Sequence, residues 1–232
     1  MIEPEIVKDE ELEYLIKDVY DLYGYDFSLY SRASFKRRVN RICLIDKFTS
    51  FAELRYTLIN EPNYLKRFIE EVTVNVTEMF RDPYFFKELR ENILPQLGTY
   101  PLIRIWIAGC STGEEAYSVA ILLKEAGLYH KSLIYATDIN PSVLETARAG
   151  VFPISQMKTY SENYILSGGK KDFSDYYTAN YDGARFDSSL KEKMILSTHN
   201  LVSDSSFNSF QLIVCRNVLI YFDKPLQEGV FK

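Results

Sequence analysis

Two short segments of the sequence combine apolar runs with the small and acidic residues that a nucleotide-like ligand requires. The first is IRIWIAGCSTGEE, from Ile103 to Glu115, and the second is IYATDIN, from Ile134 to Asn140. Each apolar run is typical of a buried parallel strand, and each ends in residues that suit the carboxyl edge of such a sheet, where α/β proteins bind ligands. The pair therefore predicts an adenosine-bearing cofactor.

The loop after the first strand suits a ligand but not a phosphate. Gly109 allows a tight turn, and Thr112 marks the expected start of a helix with Glu114 and Glu115 in its first turn. No lysine occupies the P-loop position, and the glutamates would repel a phosphate that a helix N-terminus attracts. Asp138 stands where a carboxylate accepts hydrogen bonds from ribose hydroxyls. These features favour S-adenosylmethionine, and ordinary capping roles for the acidic residues are the alternative.

The bulk composition narrows the class of protein. The 232 residues carry a net charge of −5, which argues against general affinity for nucleic acid. No apolar run approaches the roughly 18 residues of a membrane span, and the acidic start lacks the features of a signal peptide. Cys43, Cys110 and Cys215 are odd in number and far apart, which favours buried thiols in the cytoplasm. His130 and His199 have no clustered partners, so no metal site is expected.

The pattern of apolar residues changes near residue 98. Before it, apolar residues recur at helical spacing, as in Leu12, Leu15, Ile16 and Val19, which predicts a small all-helical unit. After it, strands and helices alternate, which implies a parallel sheet with crossover helices. The expected elements are a strand over 103–108, a helix over 113–126, a strand over 132–137, a helix over 141–148 and a late strand over 210–215.

The alternation stops between residues 150 and 200. Turn residues at 167–171 and 181–185, together with the strand-like run 193–197, suggest a short antiparallel ribbon instead of another βα unit. We therefore expect an insertion at about 155–197.

Five motifs resemble the chemotaxis receptor methyltransferases, the CheR type, in order and spacing. They are NVTEMFRDPYFFKEL from Asn75, IWIAGCSTGEEAYSVAI from Ile105, YATDINPSVLETARAGVF from Tyr135, HNL from His199 and IVCRNVLIYFDK from Ile213. The resemblance implies an α/β fold: a Rossmann-like class I methyltransferase sheet, an N-terminal all-α domain and a small inserted antiparallel β-subdomain. The expected domains are 1–80, a helical substrate-docking domain, and 81–232, which binds S-adenosylmethionine. Related proteins continue through a helix and further strands, so the C-terminal strands of the sheet are expected to be absent here.

The resemblance also implies an activity and a partner. The activity is transfer of a methyl group from S-adenosylmethionine to glutamate side chains of chemoreceptor cytoplasmic helices, giving glutamate methyl esters and S-adenosylhomocysteine. We expect a cytoplasmic monomer that neither binds nucleic acid nor inserts into the membrane. The alternative is a catalytically impaired module that binds the same cofactor as a sensor or interaction protein. A methyltransferase acting on small molecules or RNA is a weaker third reading.

Carried over position by position, the resemblance assigns roles to individual residues. Cofactor contacts are implied for the following residues: Asn75, Thr77, Arg81, Gly109, Glu115, Asp138, Asn200, Leu201, Asn217 and Val218. Arg81 and Tyr221 are implied to lie nearest the transferred methyl group. Each residue has an ordinary alternative: a helix start for Asn75 and Thr77, a surface ion pair for Arg81, a turn for Asn217 and the core for Tyr221.

The expected chemistry needs few catalytic groups. A glutamate carboxylate, with an ordinary pKa of about 4.3, is already the nucleophile at neutral pH, so no general base is required. The protein must instead align a carboxylate oxygen with the methyl group, a task worth roughly 7 to 11 kcal/mol in favourable cases. Arg81 is able to orient the incoming carboxylate or the cofactor, and the sequence leaves both roles open.

A basic helix offers a surface for an acidic substrate. The segment 32–42 contains five basic residues and no acidic one. On a helix, Phe35, Val39 and Ile42 would face the core while Arg37, Arg38 and Arg41 share an outer side. The resemblance points to these arginines as the docking face for glutamate-rich receptor helices, and a solvated face without a partner is the alternative.

Overall fold

The computed structural model describes residues 7–181 and 183–230. Its contacts divide the chain into two compact units. The first unit takes in the chain up to Val74, residues 200–205 and the segment from Asn217 onward; the second takes in 75–199 and 206–216. These units are defined by contacts. The domain limits expected from the sequence, 1–80 and 81–232, stay a prediction.

Besides a short helix, α10 (Lys224–Val230), the described residues of the first unit form four helices whose buried faces follow the predicted apolar spacing. They are α1 (Asp9–Tyr23), α2 (Arg32–Ile45), α3 (Phe51–Asn60) and α4 (Tyr64–Val72). Leu12, Leu15, Ile16 and Val19 of α1 are all buried, because a three-and-four spacing puts them on one side of a helix. The prediction of an N-terminal all-helical part is confirmed.

The C-terminal segment pairs with the loop before α2, within the same unit. Ser31 N donates to Tyr221 O at 2.9 Å, and Asp223 N donates to Leu29 O at 3.0 Å. Between these two bonds, Tyr30 and Phe222 form an antiparallel bridge with their ring centroids 5.0 Å apart. Residues 221–223 are therefore part of the helical unit although they lie far from it in sequence.

The second unit contains a parallel sheet and a separate antiparallel one. Its strands are β1 (Ile103–Ala108), β2 (Ser132–Asp138), β3 (Val151–Pro153), β4 (Tyr177–Asn180), β5 (Gly183–Phe186), β6 (Met194–Thr198) and β7 (Leu212–Val214). The parallel sheet has the order β6-β2-β1-β7, and the antiparallel sheet has the order β3-β5-β4. The predicted α/β fold with a small antiparallel insertion is confirmed.

One strand of the insertion was assigned to the wrong sheet. The run 193–197 was expected in an antiparallel ribbon, but β6 pairs in parallel with β2, Ile134 lying opposite Met194. A short run of this kind has no pattern that distinguishes a parallel from an antiparallel partner, since both use extended backbone. The antiparallel sheet is formed instead by β3, β4 and β5.

The helices of the second unit surround the parallel sheet's core. They are α5 (Pro83–Glu88), α6 (Leu94–Leu97), α7 (Glu114–Glu125), α8 (Pro141–Ala149) and α9 (Met157–Leu166). A π-helical turn, Leu89–Ile93, separates α5 from α6, next to Pro95, which has no N–H to continue the regular hydrogen-bond pattern. Residues 116–123 of α7 are all buried, as a helix packed on a sheet requires. No helix in the described ranges is both long and apolar enough to cross a bilayer.

Candidate cofactor and methyl-transfer site

The loop after β1 is fixed onto the carboxylate that ends β2. Ser111 N donates to Asp138 Oδ2 at 2.8 Å, and Gly109 N and Cys110 N both donate to Thr137 O, at 2.8 and 2.9 Å. Gly109 and Ser111 have positive φ angles of 73° and 49°. Glycine adopts this conformation freely, whereas serine adopts it only where neighbouring contacts hold it. The structure therefore brings Gly109 and Asp138 together at the carboxyl edge of the sheet.

Helix α7 begins differently from the sequence-based expectation. Its N-cap is Gly113, with a φ of 100°, and not Thr112. A Cβ atom at position 113 would lie 2.8 Å from Ala147 Cβ, so close packing of α8 also requires glycine. Thr112 Oγ1 donates to Glu114 Oε2 at 2.6 Å, and Glu114 is only 4% exposed. Glu114 thus serves the packing of the loop.

Glu115 is held by an arginine that the sequence did not single out. Arg216 Nη1 donates to Glu115 Oε1 at 2.6 Å. Arg216 Nη2 donates to Asp82 Oδ2 at 2.5 Å and to Arg81 O at 3.0 Å, and the guanidinium lies 4.2 Å from the centroid of the Phe85 ring. A lone charge in the apolar run IVCRNVLIYF was the available signal, because charged side chains are rarely buried unless they are paired.

The carboxylates of Asp138 and Glu115 have pKa values shifted in the same direction. Burial raises the pKa of Asp138. The hydrogen bonds donated by the backbone N–H groups of Asn140 and Ser111 offset part of this rise. Burial also raises the pKa of Glu115, and the charge and hydrogen bond of Arg216 offset part of this rise. In both acids, hydrogen bonds donated to the carboxylate act against the rise in pKa that burial causes.

The segment 75–82 is irregular and ends in turns. No helix covers Asn75 or Thr77, so the alternative of an ordinary helix start does not hold. Phe80 anchors the segment: its side chain is fully buried, and its N donates to Ser118 Oγ at 2.9 Å. Arg81 Nη1 donates to the carbonyl oxygen of Val76 at 3.1 Å. The backbone that carries Arg81 is therefore held at Phe80 N by Ser118 and at Arg81 O by Arg216.

The remaining cofactor and catalytic candidates belong to the first unit. They are Asn200, Leu201, Asn217, Val218 and Tyr221. Asn200 Oδ1 accepts from Val202 N at 2.9 Å, and Asn200 N donates to Asp204 Oδ2 at 2.8 Å. Tyr221 ends a short 3₁₀ turn and is partly exposed, so it is not a core residue.

Several buried polar atoms of the described residues lack a hydrogen-bond partner, and two of them belong to candidate residues or to the loop that carries them. These two are Ser111 Oγ in the loop after β1 and Asn200 Nδ2, on residues that are 7% and 8% exposed. Buried polar groups are nearly always paired, so such atoms indicate places where a polar ligand or water binds. The loop 109–115 contains no basic residue, as a sulfonium cofactor requires. The residues present therefore fit S-adenosylmethionine. Among the residues described, no group of three or more candidate ligands is placed to hold a metal ion.

The predicted docking arginines differ in their surroundings. Arg37 and Arg41 are exposed, and neither forms an ion pair or hydrogen bond within the described residues. Arg38 Nη1 donates to the carbonyl oxygens of Glu71 and Thr73, at 3.3 and 3.2 Å, and burial lowers its pKa. Arg38 therefore ties α2 to the end of α4, which the helical spacing alone did not reveal.

Comparisons with known proteins match most of the chain. The family model "CheR methyltransferase, all-alpha domain" matches residues 10–73, and "CheR methyltransferase, SAM binding domain" matches residues 75–232. The chain is 46% identical over 220 residues to "Putative methyltransferase Cher3" of Pseudomonas putida, covering 95% of this chain and 81% of that protein. It is 34% identical to "Chemotaxis protein methyltransferase 2" of Pseudomonas aeruginosa, covering 94% of this chain and 78% of that protein. The "Chemotaxis protein methyltransferase" of Listeria monocytogenes is 31% identical, with coverages of 94% and 81%.

Proposed function

The chain belongs to the CheR methyltransferase family and uses S-adenosylmethionine, and we propose that it methylates glutamate side chains of chemoreceptor cytoplasmic helices. Relatives named as chemotaxis methyltransferases support a role in chemotaxis. The observation that carries the proposal is the carboxyl edge of the sheet, where Asp138 ends β2 and Glu115 lies in the first turn of α7, beside a loop with no basic residue that would bind phosphate.

Asp138 and Glu115 divide the binding of the cofactor between them. Asp138 is fixed by Ser111 N at 2.8 Å and Asn140 N at 2.9 Å, and a carboxylate with both oxygens so held still has lone pairs for ribose hydroxyls. Glu115 serves the methionyl part, whose ammonium group suits a carboxylate. Further contacts are proposed for residues assigned by resemblance: Asn75, Thr77, Arg81, Gly109, Asn200, Leu201, Asn217 and Val218.

The reaction requires alignment more than acid or base catalysis. When bound, S-adenosylmethionine would supply a methyl group on a positively charged sulfur. The carbon–sulfur bond would break as a substrate carboxylate oxygen bonds to the methyl carbon from the opposite side. Arg81 orients the incoming glutamate through its planar guanidinium, since two parallel N–H groups match a carboxylate. Tyr221 positions the reacting groups with its hydroxyl. The negative carboxylate and the positive sulfonium become a neutral ester and a thioether. The side chains should therefore exclude water from the site and should not stabilise the two charges of the ground state strongly.

The exposed side of α2 is the proposed receptor-docking surface. Arg37 and Arg41 project from the same side of the helix, four residues apart, and both are exposed. Their charge opposes the net charge of −5 of the whole chain and would draw a glutamate-rich helix to this face. Since the proposed substrate helices are cytoplasmic, the proposal includes action in the cytoplasm; that the enzyme is a monomer which does not enter the membrane stays a prediction.

Methyl transfer to receptor-bearing membranes tests the proposal. The protein is incubated with membranes and S-adenosylmethionine labelled in the methyl group, and the label is expected in the receptor band and to be released as methanol by mild base, as an ester requires. Receptors in which the methylated glutamates are replaced by alanine serve as the matched control. A folded protein that binds S-adenosylhomocysteine but labels no receptor would refute the proposal in favour of a cofactor-binding module.

A further inference from the structure

Arg216 joins two parts of the site that are far apart in sequence. One edge of its guanidinium reaches Glu115 Oε1 at 2.6 Å, and the other reaches Arg81 O at 3.0 Å and Asp82 Oδ2 at 2.5 Å. The side chain is 16% exposed and stacks on Phe85. These acceptors are served by two separate nitrogens of a planar guanidinium, whereas the three N–H donors of a lysine share one nitrogen, so lysine is not equivalent here.

Only one of the two carboxylate oxygens of Glu115 accepts a hydrogen bond from the described residues. Arg216 occupies Oε1, whereas Oε2 has no hydrogen-bond partner within residues 7–181 and 183–230. From this geometry we propose that Arg216 is a positioning residue for methyl transfer, which fixes the Glu115 carboxylate so that Oε2 receives the cofactor's ammonium group. The inference rests on the proposed role of Glu115 in binding the methionyl part.

A second ion pair in the same unit, Arg90 with Glu125, leaves no carboxylate oxygen without a hydrogen-bond donor. Arg90 Nη1 donates to Glu125 Oε2, and Glu125 Oε1 accepts from the hydroxyls of Tyr164, at 2.5 Å, and Tyr176, at 2.8 Å. The exposed fractions of the side chains are similar in the two pairs, 17% and 9% here against 16% and 13% for Arg216 and Glu115. Both oxygens of Glu125 are thus taken by the protein, which suits a structural pair, and only Glu115 keeps an acceptor for a ligand.

Arg216 also fixes the backbone that carries Arg81. Phe80 and Asp82, on either side of Arg81, have positive φ angles of 53° and 57°. Residues with a Cβ atom adopt this conformation only where surrounding contacts hold them in it. The bonds from Arg216 to Arg81 O and to Asp82 supply that hold on the C-terminal side. The same guanidinium therefore places both a cofactor-binding carboxylate and the candidate catalytic arginine.

The test is a cycle of variants measured by calorimetry with S-adenosylhomocysteine. The variants are Arg216→Lys, Arg216→Gln, Glu115→Gln and the double variant Arg216→Gln/Glu115→Gln, with Arg90→Lys as the matched control. Both Arg216 variants are expected to lose about tenfold to a hundredfold in affinity, as for other groups that orient a ligand-binding side chain. The double variant is expected to bind only slightly more weakly than Glu115→Gln, because most of the effect of Arg216 acts through Glu115 and only its hold on the Arg81 backbone is then left to lose. Arg90→Lys is expected to unfold more readily and to bind like the parent.

The pH dependence of binding separates positioning from a general loss of structure. The charged or titratable groups that act on Glu115 are Arg216, Arg81, Asp82, Cys110 and Cys215. Without Arg216, the rise in the pKa of Glu115 caused by burial loses its largest offset, and only the charge of Arg81 still acts against it. Arg216→Gln should therefore bind more weakly as the pH falls from about 8.5 to about 5.5, more steeply than the parent, while the double variant has no acid at 115 to titrate.

Each outcome bears on the inference. The double variant leaves no unpaired buried charge, so it is expected to fold even if Arg216→Gln does not, and Arg216→Lys then completes the comparison. Folded Arg216 variants that bind like the parent would overturn the inference while leaving the proposed function intact, as would losses that simply add in the double variant. A folded parent that binds no cofactor would instead refute the proposed function, and this inference with it.

Discussion

Asp138 Oδ2 accepts a hydrogen bond of 2.8 Å from Ser111 N, so the acid that ends β2 also fixes the loop that follows β1. The other oxygen of Asp138 accepts from Asn140 N at 2.9 Å. A single buried side chain thus fixes the shape of the loop and also supplies the carboxylate of the proposed ribose site. A change at Asp138 must therefore affect both.

Asp138→Asn is expected to reduce both cofactor affinity and stability. An amide has only one acceptor oxygen, so its NH₂ group would face a backbone N–H of Ser111 or Asn140. Leaving one such buried donor unpaired costs about 1 to 3 kcal/mol in the free energy of unfolding. We expect S-adenosylhomocysteine affinity to fall by about a hundredfold, since loop and ribose contacts are lost together. Calorimetry and urea unfolding measure the two effects.

Asp187→Asn provides the control for this change. Asp187 Oδ1 accepts from Ser189 N at 2.8 Å in the same unit, outside the cofactor loop. It should lose stability without losing cofactor affinity. Equal affinity losses in the two variants would mean that Asp138 acts only through general stability and not through the ribose.

Charge reversal at Arg37 and Arg41 should weaken receptor methylation without affecting the fold. Both side chains are exposed and have no partner to lose among the described residues. We expect each single change to glutamate to raise the KM for receptor by about threefold and the pair by about tenfold, with smaller effects at high salt. Labelled methyl transfer at several salt concentrations measures this.

Lys17→Glu is the matched control for the single reversals. Lys17 is exposed on α1, and its reversal changes the net charge by the same amount. Arg38 is left unchanged because its bonds to Glu71 O and Thr73 O belong to the fold. An equal effect of Lys17→Glu would attribute the loss to net charge and would rule out a docking surface on α2.

The sequence allowed the order of elements to be predicted but not every partner. Strand 103–108 was predicted with its observed limits, because apolar runs in a parallel sheet are continuous and end in distinctive loops. The partner of β6 was wrong, since pairing depends on contacts between residues far apart in the chain. The roles of Arg216 and Arg38 were missed for the same reason: each is defined by acceptors on other segments.

Glu125 should make stability depend on pH in acid solution. Burial alone would raise its pKa, but the hydrogen bonds from Tyr164, Arg90 and Tyr176 outweigh burial and hold the pKa below its usual range. An acid with a depressed pKa contributes stability above its unfolded pKa, about 4.3, and loses that contribution as the pH falls through the folded value. Glu125→Gln should therefore cost about 1.5 to 3 kcal/mol at neutral pH and progressively less below about pH 4.

Urea unfolding between neutral and acid pH measures the contribution of Glu125. The free energies of unfolding of parent and variant should converge as the pH falls. Glu162→Gln, on an exposed part of α9, is the control and should follow the parent at every pH. A difference between parent and Glu125→Gln that stays constant with pH would show that the charge of Glu125 is not what the network requires.

Tyr221→Phe should lower kcat while leaving the fold intact. The contacts that hold Tyr221 in its unit are made by its backbone: its carbonyl oxygen accepts from Ser31 N at 2.9 Å, and its N donates to Val218 O at 3.1 Å. Removing the hydroxyl keeps both bonds, so the free energy of unfolding should change by no more than about 0.5 kcal/mol. If the hydroxyl positions the reacting groups, kcat should fall by about tenfold or more with little change in KM. An unchanged kcat in this variant would assign Tyr221 to packing and leave Arg81 as the one catalytic candidate.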